Sequence, residues 1–175
     1  MTLISPAERN ELLSKAEHDA FHLELKDSYQ TANEEGPFAR WKRGEADDYA
    51  WFQGWLERMR RLTGTGCAVR RVRVFTEPAS DYIRWEHSTT HLNQRAGEDI
   101  RWLPRHRVPD DVVFPVGGDD WWLIDDRLLT VGRFGPGGRV LGSEPVEEPE
   151  AVAAAVRVRD RLWELAVPHG SFALR

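Results

Sequence analysis

The sequence predicts a mixed α/β fold, with a central mixed sheet of about six strands and helices packed on both of its faces. Three segments repeat apolar residues at helical spacing, at 52–62, 82–96 and 152–166. Between them lie segments in which apolar and polar residues alternate, which is typical of half-buried strands. The 175 residues suffice for a single α/β domain, in which 1–20 carry an N-terminal helix and 21–175 form the core.

The N-terminal elements begin at recognisable signals. Ser5, Pro6 and Glu8 have the pattern of a helix cap, in which the Ser and Glu side chains each accept a backbone N–H group. Residues 21–26 then alternate apolar and polar side chains as a strand does. Residues 27–36 are polar and contain a Glu-Glu-Gly run followed by proline, so they predict a loop.

The middle of the chain predicts two units of a helix followed by a strand. Asp47 is a candidate cap for the helix at 52–62, and the strand at 68–75 carries valines on one face and arginines on the other. Ser80 is a candidate cap for the next helix, which leads to the strand at 99–103.

The C-terminal part predicts antiparallel strands and a final helix. Prolines and glycines make 104–118 an irregular connection. Residues 120–134 predict a hairpin that turns at its Asp-Asp pair, and 139–143 predict a third strand. Pro149 begins the last helix.

Composition argues against several classes of function. The 24 Lys and Arg against 29 Asp and Glu give a net charge of −5, which disfavours a general cationic nucleic-acid binder. The single cysteine, Cys67, cannot form an internal disulfide, so we expect a reducing, cytoplasmic location. The N-terminus has no signal-peptide pattern, and the longest apolar run, 151–156, is too short to span a membrane. Neither a Walker loop nor a Gly-x-Gly-x-x-Gly sequence occurs, and we predict no cofactor.

The helix at 82–96 carries the first candidate site. At about 100° per residue, Arg84, His87, His91 and Arg95 share the side opposite the apolar face. A solvated helix face is the simpler interpretation. The functional interpretation is a site for a small anionic ligand, since guanidinium and imidazole groups bind phosphate or carboxylate. His87 and His91 have the spacing of a metal pair, but no third ligand is evident nearby, so no metal is predicted.

A second group of basic residues spans the end of one predicted helix and the following strand, and it includes Arg58, Arg61, Arg71 and Arg73. Stabilisation of the helix C-terminus is the simpler interpretation, and DNA binding is the functional one. No recognition helix is visible, so nucleic acid is not the favoured partner.

Eight tryptophans are many for 175 residues, and a large aromatic core, a binding groove or a dimer contact would each explain them. Trp121 and Trp122 are adjacent on a predicted strand, so their side chains point to opposite faces. One ring therefore needs cover from a neighbouring helix, from the connection at 104–118, or from a second copy or a regulator protein. These two residues are the candidate interaction surface.

Several strings of the sequence resemble one family, among them Tyr-Ile-Arg-Trp-Glu-His at 82–87, Arg-Trp-Leu-Pro-Arg at 101–105 and Asp-Trp-Trp-Leu-Ile-Asp-Asp at 120–126. On these strings the chain resembles an uncharacterised actinobacterial family, a domain of unknown function whose members are commonly encoded beside helix-turn-helix regulators. The resemblance implies a role in transcription regulation, with such a regulator as partner protein. It implies no activity and no catalytic residues.

The predicted order of elements is also similar to half of a phospholipase D-type domain. In that family a His-x-Lys motif supplies the nucleophilic histidine and a phosphate-binding lysine. The lysines of this chain, Lys15, Lys26 and Lys42, do not follow a histidine at that spacing. The resemblance therefore implies a phospholipase D-like half-domain without its chemistry.

The sequence thus predicts a non-catalytic, cytoplasmic protein that acts in regulation by binding a partner protein or a small anionic ligand. The first alternative is an enzyme of phosphodiester or nucleotide chemistry that uses His87 or His91. The second is direct DNA binding through the arginines at 58–73. An acid or a second histidine beside His87 would favour the enzyme, a contiguous basic face would favour DNA binding, and an exposed aromatic patch would favour a protein partner.

Overall fold

One seven-stranded sheet organises the chain, which the computed structural model describes over residues 2–174. The strands in chain order are β1 (Asp19–Glu24), β2 (Ala68–Phe75), β3 (Glu98–Pro104), β4 (Trp121–Ile124), β5 (Leu128–Phe134), β6 (Val140–Val146) and β7 (Val167–Pro168). Their order across the sheet is β6-β5-β4-β1-β2-β3-β7. The β1–β2 and β2–β3 pairs are parallel and the others antiparallel, so the predicted mixed sheet is confirmed.

Helices cover both faces of this sheet, as predicted. They are α1 (Pro6–Leu13), α2 (Ala32–Lys42), α3 (Gln53–Gly64), α4 (Asp81–Arg95) and α5 (Pro149–Leu165). α5 packs on one face, and α3 and α4 pack on the other. Between residues 2 and 174, no helix combines the length and the apolar composition that crossing a membrane requires.

Alternation along the strands gives the sheet two unlike faces. Under α5 the face is apolar, and Phe21, Val72 and Leu123 are fully buried in one cluster with Ala155 and Leu162. This cluster is the main hydrophobic core.

On the opposite face, apolar packing is confined to two clusters. One joins Leu56 and Met59 of α3 to Val69 of β2, and the other joins Ile83 of α4 to Trp102 of β3. Polar residues occupy the middle of this face, between the helices. The two clusters therefore hold the helices apart over a polar surface.

Two elements depart from the sequence prediction. The loop predicted around 27–36 is wrong in its second half, because α2 begins at Ala32. The helix contains Pro37, which removes one backbone hydrogen bond, but Phe38 beside it packs against Tyr82 and Trp85 of α4 at ring-centroid distances of 5.4 and 5.3 Å. The short β7 raises the strand count from about six to seven, since two residues are too few to show alternation.

The N-terminal helix is shorter than the predicted 1–20. Its capping box forms as expected, but α1 ends at Leu13 and β1 already begins at Asp19. Ala16 is buried in the turn between them. The apolar spacing that suggested a longer helix therefore belongs to a helix and the turn after it.

Candidate ligand-binding site

A cavity of about 850 Å³ opens over the polar middle of the sheet. Its floor includes the strand residues His22, Glu24, Arg71, Arg73 and Trp122. Its walls come from four helices and include Arg9 and Asn10 of α1, Glu34 of α2, Trp55 and Arg58 of α3, and Tyr82, Trp85 and Glu86 of α4. A cavity of this size can hold a small organic molecule, since ligand pockets measure roughly 300–1,000 Å³.

Strand register gathers the charged residues of the floor. β1 and β2 run parallel, with His22 opposite Arg71 and Glu24 opposite Arg73. Because side chains alternate along a strand, all four lie on the face that α5 does not cover. Arg71 and Arg73 are each only 6% exposed, so these two arginines of the predicted basic group are buried.

Glu24 is the centre of an ion-pair network. Its Oε1 atom accepts a hydrogen bond from Arg71 Nη1 and its Oε2 atom accepts one from Arg73 Nε, each at 2.6 Å. Arg71 also pairs with Glu98, and Arg73 pairs with Glu86, each at 3.2 Å. Burial favours the neutral acid, yet the two guanidinium groups hold the pKa of Glu24 well below its usual range. Glu24 therefore stays ionised inside the fold.

Two other carboxyl groups of the cavity hold a proton at higher pH than usual. Burial raises the pKa of Glu86 to about 8 and that of Asp120 to about 7. Asp120 accepts hydrogen bonds from the backbone N–H of Leu25, at 2.9 Å, and from the Tyr29 hydroxyl. A protonated carboxyl group can donate a hydrogen bond to a ligand as well as accept one.

Aromatic rings surround the charged floor. Trp122 stacks on His22 with ring centroids 4.3 Å apart, and Trp55 lies 5.9 Å from Trp122. On the other side Trp51 stacks on Trp85 at 5.5 Å. These four tryptophans all line the cavity, so a binding groove accounts for part of the tryptophan excess. Of the four, Trp51 and Trp55 are half-buried, and a half-buried ring offers a flat apolar surface to the face of a ligand ring.

The arrangement suits a small polar molecule with a flat face, because guanidinium and carboxyl groups can bond to its edge while aromatic rings cover its faces. The lining residues include Arg71 and Thr130, whose buried Nε and Oγ1 atoms have no hydrogen-bond partner among the described residues. Buried polar atoms in proteins normally have partners, so these atoms leave bonding capacity for a bound molecule.

The predicted anion site on α4 lies outside this cavity. Arg84 and Arg95 are exposed, and Arg84 Nε donates to the Ala79 carbonyl at 3.2 Å. His91 Nδ1 lies 2.9 Å from the carbonyl of Ser88, on its own helix. At these three positions the helix face is a solvated surface, which is the simpler of the two interpretations.

His87 differs from the other three. Its ring centroid lies 4.6 Å from that of His169 and 5.1 Å from that of Trp102, and its Nε2 atom is 3.3 Å from the Phe172 carbonyl. A second histidine thus lies beside His87, which is the feature that the enzyme alternative needs. Burial lowers the pKa of both histidines, that of His169 to about 4. Within residues 2–174 no three His, Cys, Asp or Glu side chains are grouped to hold a metal ion.

The predicted DNA-binding group is divided between the cavity and the surface. Arg58, Arg71 and Arg73 line the cavity, whereas Arg61 is exposed and pairs with Glu57 at 3.5 Å. Because Arg71 and Arg73 are buried against carboxylates, these four arginines do not form a contiguous basic face.

Trp121 and Trp122 point to opposite faces, as predicted, but both are covered within the chain. Trp121 is 1% exposed and lies 5.6 Å from Phe21 in the core under α5. Trp122 is 2% exposed and stacks on His22. The proposed interaction surface is therefore corrected, since helices on both faces of the sheet leave neither ring for a partner.

The sequence prediction missed most of the cavity, although part of a signal was present. The predicted strand at 21–26 carries His22 and Glu24 on its polar face, and the strand at 68–75 carries Arg71 and Arg73 on one face. When two such strands pair side by side, their charged side chains meet on one face of the sheet, and that meeting is the signal from which the site could have been found.

Comparison with known proteins identifies a family, and there are also matches among solved structures. The family described as Domain of unknown function (DUF6879) matches residues 7–174. No protein with curated annotation matches the chain. Among solved structures, that of TrmBL2, an archaeal chromatin protein with a novel mode of DNA binding, aligns at 14% identity and a TM-score of 0.47. The alignment covers 93% of this chain and 49% of that one, so the chain spans about half the length of TrmBL2.

Proposed function

Since the chain belongs to the DUF6879 family, a domain of unknown function, we propose its function from the cavity: it is a ligand-binding domain for a small polar organic molecule with a flat face. One observation carries the proposal. The sheet buries Glu24, Arg71 and Arg73 on one face, while its other face is a conventional apolar core. Apolar residues in place of a buried ion pair are often as stable or more stable, so a charged floor beneath an open cavity supports binding.

The family resemblance extends the proposal to a regulatory role and a partner protein. The ligand would be sensed by a cytoplasmic, non-catalytic protein, with a phospholipase D-like half-domain fold, that acts with a helix-turn-helix regulator. Size-exclusion chromatography of the chain mixed with any helix-turn-helix regulator encoded beside it tests this part. Co-elution supports the partner, and separate elution with and without ligand argues against it.

Gly54 of α3 offers a way to fill the cavity with little disturbance to the fold. It lines the cavity, and a Cβ atom added there meets nothing within 4 Å. Gly54→Phe therefore occupies ligand space, and replacing a glycine inside a helix removes an entropic cost of folding. Gly64 belongs to the same helix but not to the cavity lining, and an added Cβ also meets nothing within 4 Å. Gly64→Phe is therefore the matched control.

The measurement is the melting temperature of each protein with a panel of polar ring compounds: nucleobases, nucleosides, monosaccharides and aromatic amino acids. A ligand that binds only the folded state raises its stability by RT ln(1 + [L]/Kd), about 2.7 kcal/mol at a hundredfold excess over Kd. We expect one class to stabilise the wild type and Gly64→Phe but not Gly54→Phe. Equal stabilisation of Gly54→Phe, or no stabilisation by any class, would contradict the proposal.

A further inference from the structure

The end of the cavity between α1 and α3 gathers positive charge, and we propose that Arg9, Arg58 and Arg71 form a subsite for an anionic group of the ligand, a carboxylate or a phosphate. This inference rests on the proposed function, because it assigns the chemistry of the molecule that the same cavity takes up. The site differs from the stripe on α4 that the sequence predicted for an anion.

Arg9 and Arg58 come from different helices and meet at Asn10. Arg9 donates from Nε and Nη2 to Asn10 Oδ1, at 3.3 and 2.8 Å. Arg58 Nη1 donates to the Asn10 carbonyl at 3.2 Å and to Ser14 Oγ at 2.5 Å. All of these acceptors are neutral, and neither guanidinium group pairs with a carboxylate of residues 2–174. The two half-buried guanidinium groups therefore lie close together without a counter-ion among the described residues.

Arg71 adds a third guanidinium group from the floor. Its Nη atoms bond to Glu24 and Glu98, but its buried Nε–H has no partner among the described residues. A buried donor without an acceptor is costly, and a hydrogen bond from a guanidinium to an anion is among the strongest that proteins form.

The electrostatics of Arg9 agree with this geometry. Burial, and then the charges of Arg71 and Arg58, lower the pKa of Arg9 to about 10. The three side chains therefore repel one another, and a bound anion would relieve that repulsion. Glu34, Glu86 and Asp120 line other parts of the cavity and bring no positive charge there, so a ligand would direct its anionic group toward α1 and α3.

The test uses variants of one helix. Arg58→Met removes the charge and keeps most of the apolar length of the side chain, whereas Arg58→Lys keeps the charge. Arg61→Met is the matched control, because Arg61 is exposed on the same helix and does not line the cavity. Arg9→Met, on α1, provides a second variant in case Arg58→Met fails to fold. The probes are sodium phosphate and sodium acetate, with sodium chloride at equal ionic strength as the reference.

Titration calorimetry and the melting temperature give the readout. We expect phosphate or acetate to bind the wild type and Arg61→Met beyond the chloride reference, and Arg58→Met or Arg9→Met to bind at least about tenfold more weakly. Binding of phosphate alone assigns a phosphate group, and binding of acetate alone assigns a carboxylate. No response of the wild type, or an unchanged response of both arginine variants, overturns the subsite. A neutral ligand that Gly54→Phe excludes would in that case still leave the proposed function standing.

Discussion

Trp122 stacks on His22 across the β4–β1 pair, with ring centroids 4.3 Å apart and ring planes inclined by 9°. The stack buries the imidazole, and burial lowers the pKa of His22 well below its usual value although Glu24 acts in the opposite direction. His22 is therefore neutral at physiological pH. The charge of Glu24 is consequently balanced by Arg71 and Arg73 rather than by the neighbouring histidine.

Glu24→Gln should destabilise the fold strongly, because it leaves Arg71 and Arg73 buried without their shared carboxylate. Removing one partner of a buried ion pair costs about 3–5 kcal/mol. We expect a loss of this order in the free energy of unfolding, measured by urea denaturation.

Glu45→Gln is the control for this change. Glu45 pairs with Arg43 at 2.5 Å, but both side chains are exposed. Exposed pairs contribute little to stability, so the urea midpoint of this variant should match that of the wild type. An equal loss in the free energy of unfolding of the two variants would show that the buried network stabilises the fold no more than an exposed ion pair does.

The contrast between these two ion pairs also shows why the fold was easier to predict than the site. Alternation along β2 depends on residues next to one another in sequence, so it predicts a strand whatever the strand packs against. The burial of Arg71 and Arg73 depends on Glu24, Glu86 and Glu98, which come from three other elements. No local pattern contains that information.

The sequence prediction at α2 was wrong for a related reason. Glycine followed by proline disfavours a helix interior, and the sequence around Gly36 therefore predicts a loop. Packing of Phe38 on Tyr82 and Trp85, some forty residues away in sequence, outweighs that preference. Elements with their own periodicity, such as α4 and α5, were predicted because packing and local pattern agree there.

Asp120→Asn should flatten the dependence of stability on pH. Burial raises the pKa of Asp120 to about 7, whereas the unfolded value is near 3.9. Between about pH 4 and 7 the folded state therefore binds more protons than the unfolded state, and this group makes the free energy of unfolding fall as pH rises. Asparagine cannot ionise, and its side-chain oxygen can still accept the Leu25 N–H.

The measurement is urea denaturation of both proteins at several pH values between about 4 and 7. The difference between the two slopes should approach about 1.4 kcal/mol per pH unit where the proton is bound in the folded state alone. Parallel curves would mean that Asp120 ionises in the fold as it does in the unfolded chain.

Gly97→Ala should cost more stability than Gly66→Ala. Both glycines have a positive φ, 97° and 94°, so alanine is strained at either position by about 1–2 kcal/mol. At Gly66 an added Cβ meets nothing within 4 Å, but at Gly97 it would lie 2.5 Å from Thr63 Oγ1 and 2.8 Å from Thr63 Cβ. Thr63 is held there by hydrogen bonds from its hydroxyl to the carbonyls of Met59 and Ala96.

The clash should add about 1 kcal/mol or more to the loss at Gly97. Melting temperatures of the two variants give the comparison, because the backbone strain is common to both and cancels. Equal melting temperatures would show that Thr63 moves aside at no cost.

His169 holds the C-terminal residues against β3 while its ring is neutral. Its Nδ1 atom accepts a hydrogen bond from Trp102 Nε1 at 3.1 Å, and a protonated imidazole has no acceptor. Burial, and then the charge of His87, lower the pKa of His169 to about 4. The unfolded value is near 6.5, so the stability from this group is complete above about pH 6.5 and is lost as the pH falls toward 4.

An NMR titration of the imidazole resonances measures this directly. The His169 resonance should titrate with a midpoint near pH 4, and the indole N–H resonance of Trp102 should shift with the same midpoint because its acceptor is lost. His169→Gln supplies the assignment and should leave the Trp102 indole resonance without that transition. A midpoint near 6.5 for His169 would mean that its ring is solvated and that Val167–Pro168 is not held against β3 in the way its contacts indicate.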